Sequence, residues 1–383
     1  RNVAQKLKSS GGPITQDNTG VEYYCTLFAG GESNLKSGLI WVGSDDGLIH
    51  LTKNGGKTWT NVTPKDMPEW MMINSIDPSP FEPGTCYVAG TKYKTGDFKP
   101  YLYRTENYGE TWELITKNIK NENFTRVLRA DPAKKGLLYA GTESGLYISF
   151  DDGNSWKPFQ QNLPIVPITD LTIKDNSLIV ATQGRSIWMI DDLSVLHQLP
   201  SSNNDPYLYK PKATFRLQGS GGKSSLTMGT NKPNGVEVHF YIPSYNENSD
   251  LVELSFHDNQ GNEIKKFSTS DETNKLKIKE GGNLFVWDYK YPGAEKFDGM
   301  IMWSASLNGA KAVPGKYQVR LSVNNFLTQS SFEILKSPNS ESSVNEMKEQ
   351  FNFVNQINKT ITKAHQSIKK IQKTKLKLTE FLN

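Results

Sequence analysis

Cysteine, arginine and long apolar runs are all scarce in this chain of 383 residues. Cys25 and Cys86 are the only cysteines, and two widely separated cysteines define neither a disulfide framework nor a metal site. We therefore expect two separate buried thiols. No apolar run approaches the length that a membrane-spanning helix needs, so the sequence predicts no transmembrane segment.

The charge balance argues against nucleic acid as a partner. Lys and Arg total 44 against 40 acidic residues, and the formal net charge is only +4. Arginine, the residue best suited to grip phosphates and bases, occurs seven times. The five histidines lack metal-ligand spacing, and no glycine-rich phosphate loop joins a strand to a helix. We therefore expect no metal, no nucleotide and no other cofactor.

Aromatic and turn-forming residues are abundant. The chain holds 8 Trp, 16 Tyr and 17 Phe together with 31 Gly and 19 Pro. Aromatic rings suit pleated, half-buried surfaces, and glycine and proline punctuate many short turns. The composition therefore favours an all-β fold.

An eight-residue motif of the form S/T-x-N/D-x-G-x-T/S-W occurs three times in the first half. Its shared residues are Thr52, Asn54, Gly56 and Trp59; Thr105, Asn107, Gly109 and Trp112; and Ser149, Asp151, Gly153 and Trp156. Short strand patterns precede each copy, and a fourth unit, 177–188, has the strands without a following motif. Four short strands in a period of about 45 residues indicate the blades of a β-propeller.

The motif has a physical logic and a family resemblance. Asn or Asp bonds nearby backbone amides, Gly accepts a positive φ, and Trp is a large apolar plug. These copies resemble Asp-boxes, the turn motif of sialidase-, xyloglucanase- and sortilin-type propellers. Residues 1–192 resemble the closing blades of sortilin-like (VPS10-like) bacterial exported proteins, often labelled glycosyl hydrolases. That resemblance implies structural Asp-boxes and a propeller that binds ligands. It also implies more blades than the four seen here, which we expect in another segment of the protein.

The second half contains two further segments. Residues 193–212 read as a linker because they are rich in Pro, Ser and Asn. Alternating strand patterns then occur within 213–336, at 236–242, 252–256, 263–267, 284–287 and 315–323. Several strands at this spacing predict a β-sandwich. The Trp287-Asp288 pair and the 314–317 segment resemble the immunoglobulin-like cap domain of exported bacterial proteins.

Residues 343–383 predict an amphipathic helix with a coiled-coil pattern. One row repeats every seventh residue, namely Met347, Val354, Ile361, Ile368 and Leu382, with Lys375 interrupting it; a second row holds Ile357, Ala364, Ile371 and Leu378. From Glu341 onward the tail has eight lysines and four acids. Such a helix docks a partner or an anionic surface, packs on the sandwich, or forms half of a helical hairpin.

The sequence offers little support for catalysis. A sialidase-like site needs three arginines around a carboxylate, and Arg104, Arg126, Arg129 and Arg185 show no such spacing. An inverting glycosidase needs two facing carboxylates. The available acids, Asp45, Asp46, Glu143, Asp151, Asp152 and Asp170, all lie in turn-like contexts. Glu69 lies in an apolar setting beside Trp70, where we expect a loop plug rather than a general acid.

These patterns predict a non-catalytic, exported binding or scaffold protein, located outside the cell, at its surface or in the periplasm. A protein, peptide or glycan is expected on the loop face of the propeller, against aromatic residues of the longest blade insertion: Trp70, Tyr93, Phe98 and Tyr101. One alternative is a glycoside hydrolase whose catalytic carboxylates lie partly outside this segment. Another is a subunit of a cell-envelope assembly docked through the C-terminal helix.

Overall fold

The computed structural model describes residues 25–200, 204–217, 227, 229, 232–301 and 306–382. The chain divides into two compact units, Arg1–His197 and Gln198–Asn383. Each unit has hydrophobic cores of its own.

The described part of the first unit, residues 25–197, contains four consecutive antiparallel sheets. Sheet 1 contains β1 (Leu27–Glu32), β2 (Ile40–Ser44), β3 (Ile49–Thr52) and β4 (Thr60–Asn61). Sheet 2 contains β5 (Met72–Pro78), β6 (Cys86–Lys92), β7 (Asp97–Thr105) and β8 (Glu113–Leu114), and a short 3-10 turn, Tyr93–Thr95, lies between β6 and β7. Sheet 3 contains β9 (Thr125–Ala130), β10 (Leu138–Thr142), β11 (Gly145–Ser149) and β12 (Lys157–Pro158). Sheet 4 contains β13 (Ile168–Lys174), β14 (Ser177–Thr182) and β15 (Ile187–Ile190). The strands of each sheet pair in sequence order.

Neighbouring sheets pack on one another through their inner strands. The first strands β1, β5, β9 and β13 lie side by side, and the middle strands contact the first strand of the next sheet. Strands β10 and β11 are buried along their whole length. A strand that is covered on both faces usually lacks the alternation of apolar and polar residues. Neither β10 nor β11 shows that alternation.

Close approach between sheets requires glycine at two equivalent positions. A Cβ placed on Gly43 of β2 would lie 2.4 Å from Ile73, and one on Gly141 of β10 would lie 2.6 Å from Ile168. Ile73 and Ile168 each belong to the first strand of the following sheet. The recurrent glycine therefore makes room for the next sheet.

The sequence prediction of a mostly β chain that ends in a helix is confirmed. Three of the four predicted units have four strands, and the fourth, which lacks the motif, has three in the described part of the chain. The two thiols are not bonded to each other, because both cysteines are free. The expectation that both thiols are buried is wrong for Cys25, which is partly exposed.

The second unit is built on two sheets. One sheet has the order β16 (Tyr207–Leu208), β18 (Val236–Ile242) and β21 (Gly281–Trp287). The other has the order β17 (Thr214–Arg216), β23 (Phe326–Lys336), β22 (Gly315–Val323), β19 (Val252–His257) and β20 (Glu263–Ser268). Only β17 and β23 pair in parallel among these strands; every other pair is antiparallel.

One core joins these two sheets. Trp287 of β21 stacks on Phe256 of β19 with ring centroids 4.5 Å apart, and Val238 of β18 belongs to the same buried cluster. The strand patterns at β18 to β22 are confirmed, whereas β23 was not predicted. Strand β16 lies inside the predicted linker 193–212, which also holds the short helix α1 (Ser194–His197). That interpretation of the segment is therefore wrong in part.

The C-terminal helix α2 extends over Val344–Leu382. Its first turn is fixed by a reciprocal capping box: the Glu346 amide donates to Ser343 Oγ, and the Ser343 amide donates to the Glu346 carboxylate at 2.7 Å. In its first half, Met347 is buried and Phe351 lies edge-on against Tyr291. Within the described residues, no helix is both long and apolar enough to cross a membrane.

Candidate functional site

Each copy of the eight-residue motif, here called a box, folds into the same hydrogen-bonded turn. In the second copy, the Gly109 amide donates to Thr105 Oγ1 at 2.9 Å, and the Thr111 amide donates to Asn107 Oδ1 at 2.9 Å. The corresponding bonds recur from Gly56 to Thr52 at 3.0 Å and from Gly153 to Ser149 at 2.9 Å. The box is thus a closed network of local bonds.

The box tryptophan fastens one sheet to the sheet before it. The indole N–H of Trp112 donates to the carbonyl of Val62 at 2.7 Å, and that of Trp156 donates to the carbonyl of Ile115 at 2.7 Å. Val62 and Ile115 each follow the outer strand of the preceding sheet. The motif therefore contributes to packing between sheets as well as to its own turn.

The box glycines permit this contact. Gly109 and Gly153 have φ values of 81° and 86°, a region that other residues resist. A Cβ on Gly109 would lie 2.6 Å from Val62, and one on Gly153 would lie 2.5 Å from Ile115. Trp59 of the first copy differs, because its side chain is 43 % exposed.

A groove of about 660 Å³ lies between sheets 1 and 2, within the size range of small-ligand sites. Part of its wall is the second box, with the partly exposed rings of Tyr108 and Trp112. The ammonium of Lys53 lies 4.1 Å from the centroid of the Tyr108 ring. Hydroxyl, amide and carboxylate groups complete the lining, from Thr58, Thr60, Asn61, Thr63, Asp66, Glu110 and Thr111.

The groove therefore offers aromatic faces beside many hydrogen-bonding groups. Sequence reasoning missed it, because it treated the box residues as structural only. The sequence did contain one signal for the groove, at the position just before the box glycine. In the second box this position holds Tyr108, where the first box has Gly55 and the third has Asp152.

The predicted aromatic contact set lies outside this groove, and its members differ in exposure. Tyr93 stacks on the buried Phe124 at 4.9 Å, and Phe98 lies 6.2 Å from the same ring. Arg126 covers Phe124 at 5.2 Å and pairs with Glu143. Because Phe124 precedes β9, the insertion between β6 and β7 braces sheet 2 against sheet 3.

Tyr101 is not an exposed contact residue, and this corrects the sequence prediction. It is 7 % exposed, and its hydroxyl donates to Asp97 at 2.7 Å. Burial, together with this neighbouring carboxylate, raises the pKa of Tyr101. Its position in β7 points it into the core between sheets 1 and 2.

Trp70 is partly buried, with a left-handed φ of 63°. The cavity that it lines with Asp45, Thr91 and Tyr93 measures only about 10 Å³, the volume of about one water probe. Phe98, which is 50 % exposed, is the predicted contact residue that presents most of its ring to solvent.

Three arginines of the first unit, Arg104, Arg126 and Arg129, pair with acids, whereas the Arg185 guanidinium donates to the carbonyl of Gly184. Arg104 contacts Asp152 at 2.9 Å, Arg126 contacts Glu143 at 2.6 Å, and Arg129 contacts Asp170 at 2.9 Å. No arginine triad forms among the described residues. Asp151 accepts hydrogen bonds from its own box, and Glu69 is exposed.

Asp77 on the inner strand β5 has an unusual setting. Its carboxylate accepts the amide of Ala130 at 2.7 Å. Burial raises the pKa of Asp77 to about 6, although this hydrogen bond and Arg129 oppose the shift. In the described part of the chain, no three His, Cys, Asp or Glu side chains are grouped so as to hold a metal ion.

Comparison with known proteins gives one curated relative of limited extent. The chain is 26 % identical over 108 residues to the oligoxyloglucan-reducing end-specific xyloglucanase of Emericella nidulans. The match covers 28 % of this chain and 13 % of that enzyme, so the chain spans only a small part of its relative. No protein-family model matches the chain.

Two solved structures are similar to parts of the chain at low sequence identity. YCF48 bound to D1 peptide is 17 % identical, with a TM-score of 0.35 over 57 % of this chain and 66 % of that chain. The GH74 xyloglucanase of Xanthomonas campestris is 14 % identical, with a TM-score of 0.36 over 80 % of this chain and 45 % of that chain.

Proposed function

We propose that this chain is part of an exported, non-catalytic binding protein whose groove between sheets 1 and 2 takes an oligosaccharide. The observation that carries the proposal is the groove itself, in which two partly exposed rings stand beside hydroxyl and amide groups. Sugar rings pack on aromatic faces while their hydroxyls bond to such polar groups. The limited similarity to a xyloglucanase supports a glycan over a peptide.

Two finer assignments belong to the same proposal. The first unit is a piece of a sortilin-like Asp-box propeller, and the second is an immunoglobulin-like domain. The motif copies and the Trp287-Asp288 segment support these assignments through their resemblance to exported bacterial proteins. Fractionation of the native cells would test export, because a cytoplasmic location contradicts it.

Binding without catalysis fits the carboxylates of the groove. Asp66 and Glu110 are both exposed, whereas a carboxyl group that acts as a general acid is held in a desolvated setting. Three other predicted acids, Glu143, Asp152 and Asp170, are engaged by arginine. Asp45 and Asp46 are buried, and they accept hydrogen bonds from Thr26 and Ser44. Each of these acids is therefore either exposed or engaged by a neighbouring group.

Titration calorimetry with xyloglucan oligosaccharides tests the proposal. We expect the whole chain to bind, and Tyr108→Ala to weaken binding about tenfold or more, the loss of roughly 1.4 kcal/mol. Phe98→Ala is the matched control, because it removes an exposed ring from the loop face and leaves the groove intact. Binding that is absent, or lost in Phe98→Ala and kept in Tyr108→Ala, contradicts the groove assignment.

The second candidate function is glycoside hydrolysis, and the similarity to a xyloglucanase favours it. Reducing-sugar release from xyloglucan separates the two functions. We expect none from this chain. Release that disappears in Asp66→Asn or Glu110→Gln would establish hydrolysis at the groove and overturn the non-catalytic proposal.

A further inference from the structure

The two halves of helix α2 have different surroundings. Glu295 anchors the helix near its middle: its carboxylate accepts from Lys369 at 2.6 Å and from Gln366 at 2.8 Å, and its carbonyl lies 2.6 Å from His365 Nδ1. Beyond Lys369, every residue from 370 to 382 is exposed. The distal half of α2, residues 364–382, therefore projects from the body of its unit.

The distal half carries an uncovered apolar row, here called the seam. Its members Ala364, Ile368, Ile371, Leu378 and Leu382 are spaced by four, three, seven and four residues, which continues a heptad pattern. Ile371 is 67 % exposed, Leu378 57 % and Leu382 82 %. Helices gain most of their stability by covering such a row.

Apart from Lys375, which interrupts the seam, the charges on the distal half are placed away from it. Lys370, Lys373 and Lys377 occupy the outer heptad positions. The positions that flank the seam are free of acid and lysine; they hold His365, Ser367, Gln372, Thr374, Thr379 and Phe381. These flanking positions set partner choice in coiled coils. Their neutrality allows two identical helices to meet without like-charge repulsion.

Lys375 is the one charged residue in the seam, and it selects an orientation. In a parallel pair, Lys375 would face Lys375 of the second copy. In an antiparallel pair centred on Lys373, it faces Ile371, Ile368 faces Leu378, and the small Ala364 faces the large Leu382. A single lysine in a core row is a known determinant of register.

We propose that the distal half of α2 pairs with the same segment of a second copy of this chain as an antiparallel two-helix coiled coil. The overlap is 19 residues, or roughly 28 Å of helix. The anchor at Glu295 lies at the start of this overlap, so the bodies of the two copies lie at opposite ends of the pair. The seam residues of one copy then interdigitate with those of the second copy along the whole overlap.

An anionic membrane is the main competing occupant, because the distal half is basic. The seam favours the second copy. It is a narrow heptad row rather than a broad apolar face, and Lys375 lies in its centre. An unrelated acidic helix is the other competing partner. The positions that flank the seam contain no lysine that could form ion pairs with its acidic residues.

Sedimentation equilibrium on the full chain tests the pairing. We expect a mass twice 43.0 kDa that falls to the monomer on dilution. Ile371→Glu should give the monomer at all concentrations. Leu376→Glu is the matched control: it places the same charge on an exposed residue of the same helix outside the seam, and should remain a dimer. Both changes lie on an exposed surface, and circular dichroism confirms that the helix persists.

Spin labels test the orientation. On a Cys25→Ser background, labels at Lys373→Cys, an outer position of each helix, should lie level with each other along the axis of the pair. Labels at Glu380→Cys should be further apart by roughly 21 Å along the axis, from 14 residues of offset. Equal distances at both positions would show a parallel pair and overturn the proposal.

Three other outcomes also overturn it. The wild-type chain could be monomeric throughout, Ile371→Glu and Leu376→Glu could dissociate equally, or the monomer could sediment with phosphatidylserine vesicles. The last result would assign the distal half to an anionic membrane. None of these readouts depends on oligosaccharide binding, so the two proposals fail independently.

Discussion

At the scale of single residues, the three box tryptophans share a motif position but not an environment. Trp156 is 1 % exposed and bonds to the preceding sheet, whereas Trp59 is 43 % exposed. Trp112 lies between these two extremes, and its hydrogen bond to Val62 resembles that of Trp156. The local sequence therefore does not determine how much each tryptophan stabilises the fold.

We predict that Trp156→Phe lowers the free energy of unfolding by about 1–3 kcal/mol, because it removes a buried hydrogen bond and part of a buried ring. Trp112→Phe should cost somewhat less. Trp59→Phe should stay within about 0.5 kcal/mol, as surface changes do. Urea denaturation measures all three. If Trp59→Phe and Trp156→Phe lower the free energy of unfolding equally, the box tryptophan stabilises its own turn rather than the contact between sheets.

Asp77 predicts a pH dependence of stability. Its pKa is raised from 3.8 to about 6 in the folded chain, chiefly by burial. A carboxyl group with a raised pKa favours the folded state when it is protonated. Its contribution is full below pH 3.8 and is lost as the pH rises through about 6.

Asp77→Asn removes this dependence and keeps an oxygen to accept the Ala130 amide. Its free energy of unfolding, measured relative to the wild type, should therefore rise between pH 4 and pH 7. The expected rise is up to about 3 kcal/mol, for a shift of about two pKa units. Urea denaturation at both pH values measures it. Parallel pH profiles of the two proteins would show that Asp77 is solvated.

At the scale of elements, helix α2 depends on one acidic residue for its central attachment. The Glu295 amide donates to Thr362, and its carboxylate binds Gln366 and Lys369. The hydrogen bond from Lys369 is the main cause that lowers the pKa of Glu295. The attachment is therefore present above the ordinary Glu pKa and is lost as the pH falls through the lowered value.

We predict that Glu295→Ala speeds amide hydrogen exchange in the part of α2 around Lys369 and leaves the first turns unchanged. The reason is that the capping box and the Met347 contact remain in place. Glu349→Ala is the control, since Glu349 is an exposed acid of the same helix. Exchange that is unchanged in Glu295→Ala would show that backbone contacts alone hold the helix.

At the scale of the whole molecule, the two units have separate cores. The buried cluster of the second unit includes no residue before Leu208, and the clusters of the first unit extend no further than Leu193, with Leu196 packed at the edge. A unit with its own core is expected to fold on its own.

We therefore predict that fragments 1–197 and 198–383, expressed separately, each retain their near-ultraviolet circular dichroism and unfold cooperatively. The fragment of the first unit should also keep any oligosaccharide affinity of the whole chain. Thermal denaturation followed by circular dichroism measures this. If a fragment is unfolded on its own although the same residues are folded in the whole chain, the two units stabilise each other.

Much of the fold could be predicted from short-range signals. The box turns follow from Asn, Gly and Ser or Thr at fixed spacing, because such residues bond their own backbone. Strands β18 to β22 alternate apolar and polar residues, and α2 carries a heptad pattern. Strand β23 was missed because its polar residues, Thr328 to Ser331, hide the alternation.

The candidate site could not be predicted in the same way. Tyr101 and Phe98 lie in one strand, yet Tyr101 is buried and Phe98 exposed, because only the neighbouring sheets decide which face is covered. The groove joins Lys53 and Thr60 of one sheet to Tyr108 of the next. Such residues meet only after the sheets pack.

The sequence by itself determined the sheet-forming repeats, the turn chemistry, the separate C-terminal helix and the scarcity of catalytic residues. These are local properties, written in spacing and residue type. The tertiary structure alone decided that Trp112 and Trp156 fasten neighbouring sheets, that three arginines of the first unit are paired with acids, and which half of α2 is covered. Those properties depend on contacts between residues far apart in the chain. The spacing of residues along the chain does not show which distant residues come into contact.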